Sequence, residues 1–472
     1  MRHLLFDVAP HSIRAALVED GELTEFQYED RHHESLVGNI YVGRVQDMHR
    51  GISACFVDIG TGKNGYLPLP EGDKRPIGST VVVQVLKDAA KEKGAVLTER
   101  LSIAGRFLVL LPGQGGQIAV SQKIIKPEER ERIRTLLLPL LPEGDGVIVR
   151  TEGEGRQEEA FAAELKMLAD WANAIGQGGK YQKPPALLYA TGGLLLQAAR
   201  DYLGRTVDDV MVNDQAAYEA LQAAFPMERQ KISYYESEVP LFDAYYIESQ
   251  VEKLLQKKVW LKSGAFLVIE QTEACVVIDV NTGKFTGKKG FEKTVFQTNL
   301  EAAREVARQI RLRNLSGIIL VDFIDMNQQE HRSALTAYLQ QLVRQDHIKT
   351  TVVGMTELGL MQITRKKTRP PLALELSRPC RYCYGTGLLP SESYVLGEVC
   401  RQTARLFHAT SFRHIEVASN ESFLSYLRRS GALEEIAGRF GGKVTYRPIE
   451  TGAAYYYECR GLAEEKSKAT EK

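Results

Sequence analysis

The sequence is poor in cysteine. Six among 472 residues are too few for a disulfide scaffold. It also lacks long apolar runs. No stretch approaches the ~18 uninterrupted apolar residues that span a bilayer. The greasiest run starts at Thr135 and is broken by Pro139 and Pro142. The first ten residues carry Asp7 and no apolar segment of signal-peptide length. Net charge is missing too, since 60 Lys and Arg balance 60 Asp and Glu. That excludes bulk coating of nucleic acid by positive charge, while leaving room for one concentrated basic site. These absences predict a soluble, cytoplasmic chain with reduced thiols and no transmembrane segment. With 44% hydrophobic and 25% charged residues, the composition is ordinary and globular, and the length suits about three domains.

The charge is unevenly spread. Residues 1–30 hold 2 basic and 7 acidic residues, 205–250 hold 3 and 9, and 279–383 hold 17 and 10. The first 30 residues read as a hairpin turning at Ala9–Ser12. From Ser35 to Ser102, short β-rich runs alternate with turn-formers, which predicts a small barrel. Helical patterns follow at Pro127–Leu138 and Arg156–Ala174, with the strand GVIVRTEG between them. A Pro-rich break at Lys183 precedes a helix-rich stretch, with helical periodicity again at 244–256. Residues 265–380 alternate strands and helices, which predicts an α/β unit with a partly parallel or mixed sheet. Thr298 and Glu301 match a capping box, and Asn314 and Gly317 end that helix. A second helix runs from Gln328 to Arg344. A basic, Pro-rich linker starts at Thr364. The residues after it form a small α/β piece, and the tail 463–472 reads as disordered.

Two apolar strands each end in an acid, Val276–Asp279 and Ile319–Asp322, with a helix between them. In a β-α-β arrangement the carboxyl ends of such strands share one edge, where ligand crevices form. Asp279 and Asp322 brought close would repel. A divalent cation relieves that repulsion, and Mg²⁺ favours one or two carboxylates with waters and phosphate oxygens. Asn281, two residues past Asp279, shares its face of an extended chain. Acids at strand ends are also common as solvated turn residues, and Asp325 reads as a helix cap or an outer neighbour. Lys284, Lys288, Lys289 and Lys293, Arg304, Arg308 and Arg311, and Arg365, Lys366, Lys367 and Arg369 surround the acids in sequence. An acidic metal pair in a basic segment suits a polyanionic substrate cut by activated water. A solvated charged face is the plainer reading.

Residues 38–71 resemble an S1 RNA-binding domain, an OB-type barrel. Phe56 and Tyr66 are spaced for adjacent strands, where aromatics stack bases at roughly 1–3 kcal/mol each. Lys93 suits a phosphate contact. The alternative is a core Phe56 and a Tyr66 that flanks a turn. Cys380 and Cys383, with Gly385 and Gly387, have the shape of a zinc knuckle. Structural zinc needs four ligands, so two chains could each donate a pair. A redox C-x-x-C is the competing reading.

VIDVNTG, then TNLEAAREVARQIRLRNLSGIILVDFIDM, then C-x-x-C-x-GTG together resemble the ribonuclease E/G family, and the resemblance covers nearly the whole chain. It implies an endoribonuclease acting on single-stranded, A/U-rich RNA and not on DNA, in rRNA and tRNA processing and mRNA decay, leaving 5′-monophosphate and 3′-hydroxyl ends. It implies catalytic Asp279 and Asp322 on one Mg²⁺ with Asn281 as the orienting residue. Phe56, Tyr66 and Lys93 would guide RNA. A 5′-phosphate sensor would use Arg150 and Thr151, with Gly105 and Val109 lining it. Where some members carry Arg after the serine of the sensor strand, this chain has Gln122, which bears on sensor strength rather than location. Cys380 and Cys383 would share Zn²⁺ between protomers of a dimer or tetramer. The implied architecture is multidomain α/β. An RNase H-like subdomain (1–34 and 191–254) is interrupted by the S1 domain (35–102) and the sensor domain (103–190). A DNase I-like catalytic subdomain (255–376), a zinc-link (377–390) and a small carboxyl-terminal domain (391–472) follow. A non-catalytic RNA-binding or assembly protein that retained this fold is the rival reading.

Overall fold

A computed structural model describes the chain apart from residues 33, 90–92, 204–206, 284–290, 381, 384, 451–455 and 463–472. Lys284, Lys288, Lys289 and the tail 463–472 therefore lie outside the described residues. Two compact units form, Met1–Leu376 and Ser377–Lys472. The architecture is mixed α/β.

The chain begins with three antiparallel strands, Arg2–Ala9, Ser12–Glu19 and Glu22–Asp30. The third extends the hairpin expected from sequence. Asp20 and Gly21 make its tight turn with φ of 49° and 81°, the left-handed region that glycine enters without a Cβ clash. Arg2–Ala9 also pairs in parallel with Asp209–Val212, which pairs with Ile232–Tyr234. The two acidic stretches of the sequence thus share one sheet. Leu4, Phe6, Ala15 and Leu17 face helices Gly193–Tyr202 and Gln215–Ala224, while Leu5, Ala16, Val18 and Phe26 face residues 241–254 and Leu312.

Strands Ile40–His49, Ala54–Asp58, Gly65–Pro68, Val96–Thr98 and Thr80–Lys87 pair in that order, and the first and last also pair. The five close into a barrel of OB type filled by Cys55, Val57, Leu67, Val83, Val85 and Leu97. A sixth strand, Ala186–Tyr189, adds to Ile40–His49 from a distant part of the chain. Beside the barrel lies a four-stranded sheet of Ile118–Val120, Gly146–Val149, Leu108–Leu111 and Ile103–Ala104. Helix Glu158–Tyr181 covers it and runs past the expected end at Ala174. Ile175 continues the buried stripe of Phe161, Leu165 and Leu168, and the helix stops just before Pro184, which cannot donate a helical hydrogen bond.

The third sheet has the order Lys258–Trp260, Phe266–Gln271, Cys275–Asn281, Gly317–Asp322, Leu360–Arg365 and Thr350–Met355. It is mixed, as the sequence predicts: Cys275–Asn281 and Gly317–Asp322 run parallel and their other neighbours run antiparallel. Leu360–Arg365, whose last two residues open the expected linker, inserts as a central strand with Met361 and Ile363 fully buried. One face carries Leu267, Ile278, Val280, Ile319 and Val321 and packs on helices Phe291–Leu312 and Gln329–Val343. Each such side chain contributes about 1.5–3 kcal/mol when fully buried. The other face remains open, with Val277, Asp279, Ile318, Asp322 and Val353 all exposed.

The first of those helices starts at Phe291, seven residues before the expected cap Thr298. Thr298 and Asn299 are buried within it. The Asn299 amide donates to the Ile324 carbonyl and accepts from the Ile324 N–H, which fixes the helix against the loop after Asp322. Burial thus overrides the capping pattern.

The second unit has strands Lys443–Pro448, His414–Ser419 and Tyr457–Leu462 covered by helices Glu392–Ala409, Glu421–Ser430 and Ala432–Arg439. Among the described residues no helix is long and apolar enough to cross a membrane.

Candidate active site

Asp279 and Asp322 are direct register partners on adjacent parallel strands. Their backbones are therefore about 4.8 Å apart, and both side chains stand on the open face. The alternation that sends Ile278 and Val321 into the core sends these acids outward. Asn281 lies two residues further on the same face. Its amide Nδ2 donates to Oδ2 of Asp279 at 2.7 Å, which orients that carboxylate. Partial burial, then the charges of Asp279 and Asp325, push the Asp322 carboxyl above its ordinary value. Both acids are exposed, so the mutual repulsion is moderated by water rather than removed. No group of three or more metal-binding side chains assembles among the described residues. Two carboxylates on an open face suit a hard cation that keeps waters and takes substrate phosphate oxygens.

The basic residues divide into two sets. Lys293, Arg304, Lys366 and Lys367 are exposed. Arg308 donates to the Leu23 carbonyl, and Arg311 pairs with Glu25 at 3.2 Å between the long helix and the amino-terminal sheet. Arg365 is buried on Asp346, and Arg369 bonds Gln27 and Gln197. Arg308, Arg311, Arg365 and Arg369 therefore hold the fold together, while the exposed four are free to face a polyanion.

On the barrel, Phe56 and Tyr66 are register partners with ring centroids 6.1 Å apart. Both are half-buried and stand opposite the barrel core. His49 adds a third ring, edge-on to Phe56 at 5.3 Å. Its place diagonal to Phe56 follows from the strand register, Asp47 facing Phe56 and His49 facing Ala54, and no spacing in the sequence announced it. Lys93 is exposed beside this face. Tyr66 N–H bonds the Ala95 carbonyl at 2.7 Å. At Gly94 a Cβ would lie 1.9 Å from the Asn64 carbonyl oxygen, so only glycine lets the segment after Lys93 pass this close.

Arg150, Thr151 and Gly105 cluster. Arg150 donates to the Gly105 carbonyl at 2.9 Å and forms an ion pair with Asp201. Ser121 and Thr151 hydroxyls are 3.1 Å apart. Val109 pairs with Ala104 and Ile148 in the same sheet, and Gln122 is exposed. Glu164 cradles the loop by accepting from the N–H groups of Arg106, Phe107 at 2.8 Å and Leu108 at 3.0 Å. Burial raises its carboxyl, and those N–H groups offset part of the rise. Asp201 and Glu164 lie far from this cluster in sequence, and no motif announced them. A Cβ on Gly105 would sit 2.7 Å from Oε1 of Glu164 and 3.1 Å from the Leu108 carbonyl oxygen. Gly105→Ala should therefore cost about 1–3 kcal/mol and loosen the loop, read as a lower melting temperature with faster amide exchange at Phe107 and Leu108.

In the second unit, Cys380 is exposed and Cys383 half-buried. Backbone N–H groups of Gly387 and Gly385 and the Cys380 side chain hold the Cys383 thiol below its usual range, burial opposing them. Gly385 and Gly387 have φ of 91° and 72°, the left-handed turns that aim N–H groups at one sulfur. Cys459 is buried and its thiol is pushed up to about 11 by that burial, while the Cys400 thiol is also raised by burial. Both are inert.

The profile of the Ribonuclease E/G family matches residues 102–368. Ribonuclease G of Salmonella typhimurium is 35% identical over 460 residues, covering 92% of this chain and 94% of the relative. Ribonuclease G of Escherichia coli K12 is 36% identical over 431 residues, 86% and 88% of the two chains. Ribonuclease E of Escherichia coli K12 is 35% identical over 410 residues, 82% of this chain but 38% of the relative. With similarity running almost end to end, and with the paired acids inside the matched segment, this chain belongs to the ribonuclease E/G family.

Proposed function

We propose that this endoribonuclease cuts single-stranded, A/U-rich RNA with one Mg²⁺ held by Asp279 and Asp322, leaving 5′-monophosphate and 3′-hydroxyl ends, in rRNA and tRNA processing and mRNA decay. The observation that carries the reading is the registered pair of exposed acids, one with a raised carboxyl, on a sheet face opposite the one that packs on the two helices. When bound, the ion supplies Lewis acidity toward water and phosphate. Asn281 keeps Asp279 in one rotamer. The open face admits an extended strand that a closed pocket would exclude. Phe56 and Tyr66 stack bases, and Lys93 contacts phosphate. Arg150 and Thr151 bind a 5′-phosphate, which must compete with Asp201 for the guanidinium, next to Gly105 and Val109. The first sheet is the RNase H-like part, and the acid-bearing sheet the DNase I-like part. The test is cleavage of a 5′-monophosphorylated single-stranded RNA: Mg²⁺ should restore what chelation removes, and products should ligate only through 5′-phosphates. Metal-independent cleavage would refute the assignment.

Cys380 and Cys383 bind Zn²⁺ jointly with the same pair of a second protomer in a dimer or tetramer. The lowered Cys383 thiol supports this, because thiolate is the metal-binding form. Replacing both by Ser should remove one zinc per two chains and shift sedimentation toward monomer. Unchanged sedimentation would end the shared-zinc reading.

A further inference from the structure

The open face continues past the acids to an aromatic pad that none of the foregoing assigns. Trp260 is register partner of Phe266, and Phe266 of Asn281. Lys258 likewise faces Val268, which faces Asp279. Registered side chains share a face, so Lys258, Trp260 and Phe266 stand with the acids and not with the helices. Alternation agrees, because Leu267 and Val280, register partners of each other, are buried on the helix side. Trp260 is 64% exposed although it lies on a strand. Its ring centroid is 5.2 Å from that of Phe266, and Nζ of Lys258 lies 4.0 Å from the first and 3.6 Å from the second.

We propose that Trp260 and Phe266, with Lys258, form a base-stacking subsite for the RNA strand that crosses the Asp279–Asp322 face. This rests on the catalytic reading above. Stacking on an exposed indole tolerates any base, so the subsite supplies affinity and register rather than sequence choice. Two strand spacings separate Trp260 from Asn281, about 10 Å, the span of about two or three nucleotides at ~3.4 Å or more each. A base held there fixes which phosphate reaches the acids. A cation over a ring is weakly held at an exposed site, so Lys258 can leave the rings for the phosphate of the stacked nucleotide. Charge complementarity favours RNA as the occupant. A cleft of about 380 Å³ adjoins the pad at this sheet edge, lined by Lys253, Lys262, Arg304 and Arg308 and also by Glu22, Glu301 and Glu305, with Lys262 paired to Glu22.

The test uses the full chain and a ten-nucleotide RNA in EDTA, recovered intact afterwards. RNA should quench the fluorescence of Trp260. In Trp260→Phe the quench should vanish while binding, read by anisotropy of labelled RNA, is largely kept. Trp260→Ala should weaken binding about 5- to 150-fold, and with metal should raise KM far more than it lowers kcat. Unchanged affinity in Trp260→Ala, or binding by the wild type without a quench, overturns the subsite. A smaller sedimenting species in Trp260→Ala also overturns it, because the pad is then covered by a second copy of the chain. Asp279→Asn separates the two readings. It should lose cleavage and keep the quench, whereas full cleavage by Asp279→Asn refutes the catalytic reading and leaves the pad standing on its quench.

Discussion

Asp279→Asn should lose RNA cleavage by at least about a thousandfold, roughly 4 kcal/mol of transition-state stabilisation, and still fold. The replacement has the same shape and removes one unit of charge. Asp279 is exposed, so the stability change should stay within about 0.5 kcal/mol. The sign of that small change is predictable. Asp322 is raised partly by Asp279, so removing the charge lets Asp322 ionise more easily and relieves repulsion. Asp322→Asn should behave alike. The double variant should be little worse than either single, because groups that hold one ion act as a unit. Asp325→Asn is the control. It also raises Asp322 but lies beyond the strand, so its effect should stay within about tenfold. Single-turnover cleavage and thermal melting separate these outcomes. An Asp279→Asn enzyme within tenfold of wild type would sink the assignment of the acids.

The acids were legible because strand alternation leaves a simple trace, an apolar run that ends in a carboxylate. Their register was not. Asp279 faces Asp322 through the parallel pairing of Cys275–Asn281 with Gly317–Asp322, and neither strand's own sequence states where along the other it will pair. The capping box at Thr298 misled as well. A local pattern lost to burial at Asn299 and its two bonds to Ile324. The Leu360–Arg365 strand hid behind the basic Pro-rich stretch after it. The Trp260 pad was invisible because three side chains from two strands meet there, and no spacing within one strand reports on its neighbour. Arg150 was legible only through family resemblance, and its partner Asp201 not at all.

Asp346→Ala should be the most destabilising single change on the acid-bearing sheet, at about 3–5 kcal/mol. In sequence, Arg365 counts toward a surface for RNA. In the fold, Arg365 and Asp346 are 3% and 5% exposed. Arg365 donates to Asp346 through Nε at 2.7 Å, to Asn314 at 2.7 Å and to the Leu315 carbonyl at 3.2 Å. Asp346 also accepts from Thr350 Oγ1 and the Ile348 N–H. Burial pushes its carboxyl up, and Arg365, Thr350 and Ile348 outweigh burial and hold it below its ordinary value. A depressed carboxyl contributes stability above its unfolded value and loses it as pH falls through the folded one. The wild type should therefore shed this contribution only below about pH 4, where the gap between wild type and Asp346→Ala narrows. Removing Asp346 strands a buried guanidinium, whereas Asp346→Leu with Arg365→Met removes both charges and should recover most of the loss. Activity gives the second readout. Arg365 pairs with Gly317 and Leu360 with Asp322, at opposite ends of one strand pair, about 17 Å apart over five residues. Below its melting temperature Asp346→Ala should thus keep kcat within a few fold of wild type. A variant that melts normally yet cleaves poorly would show that the pair serves the acids and not the sheet.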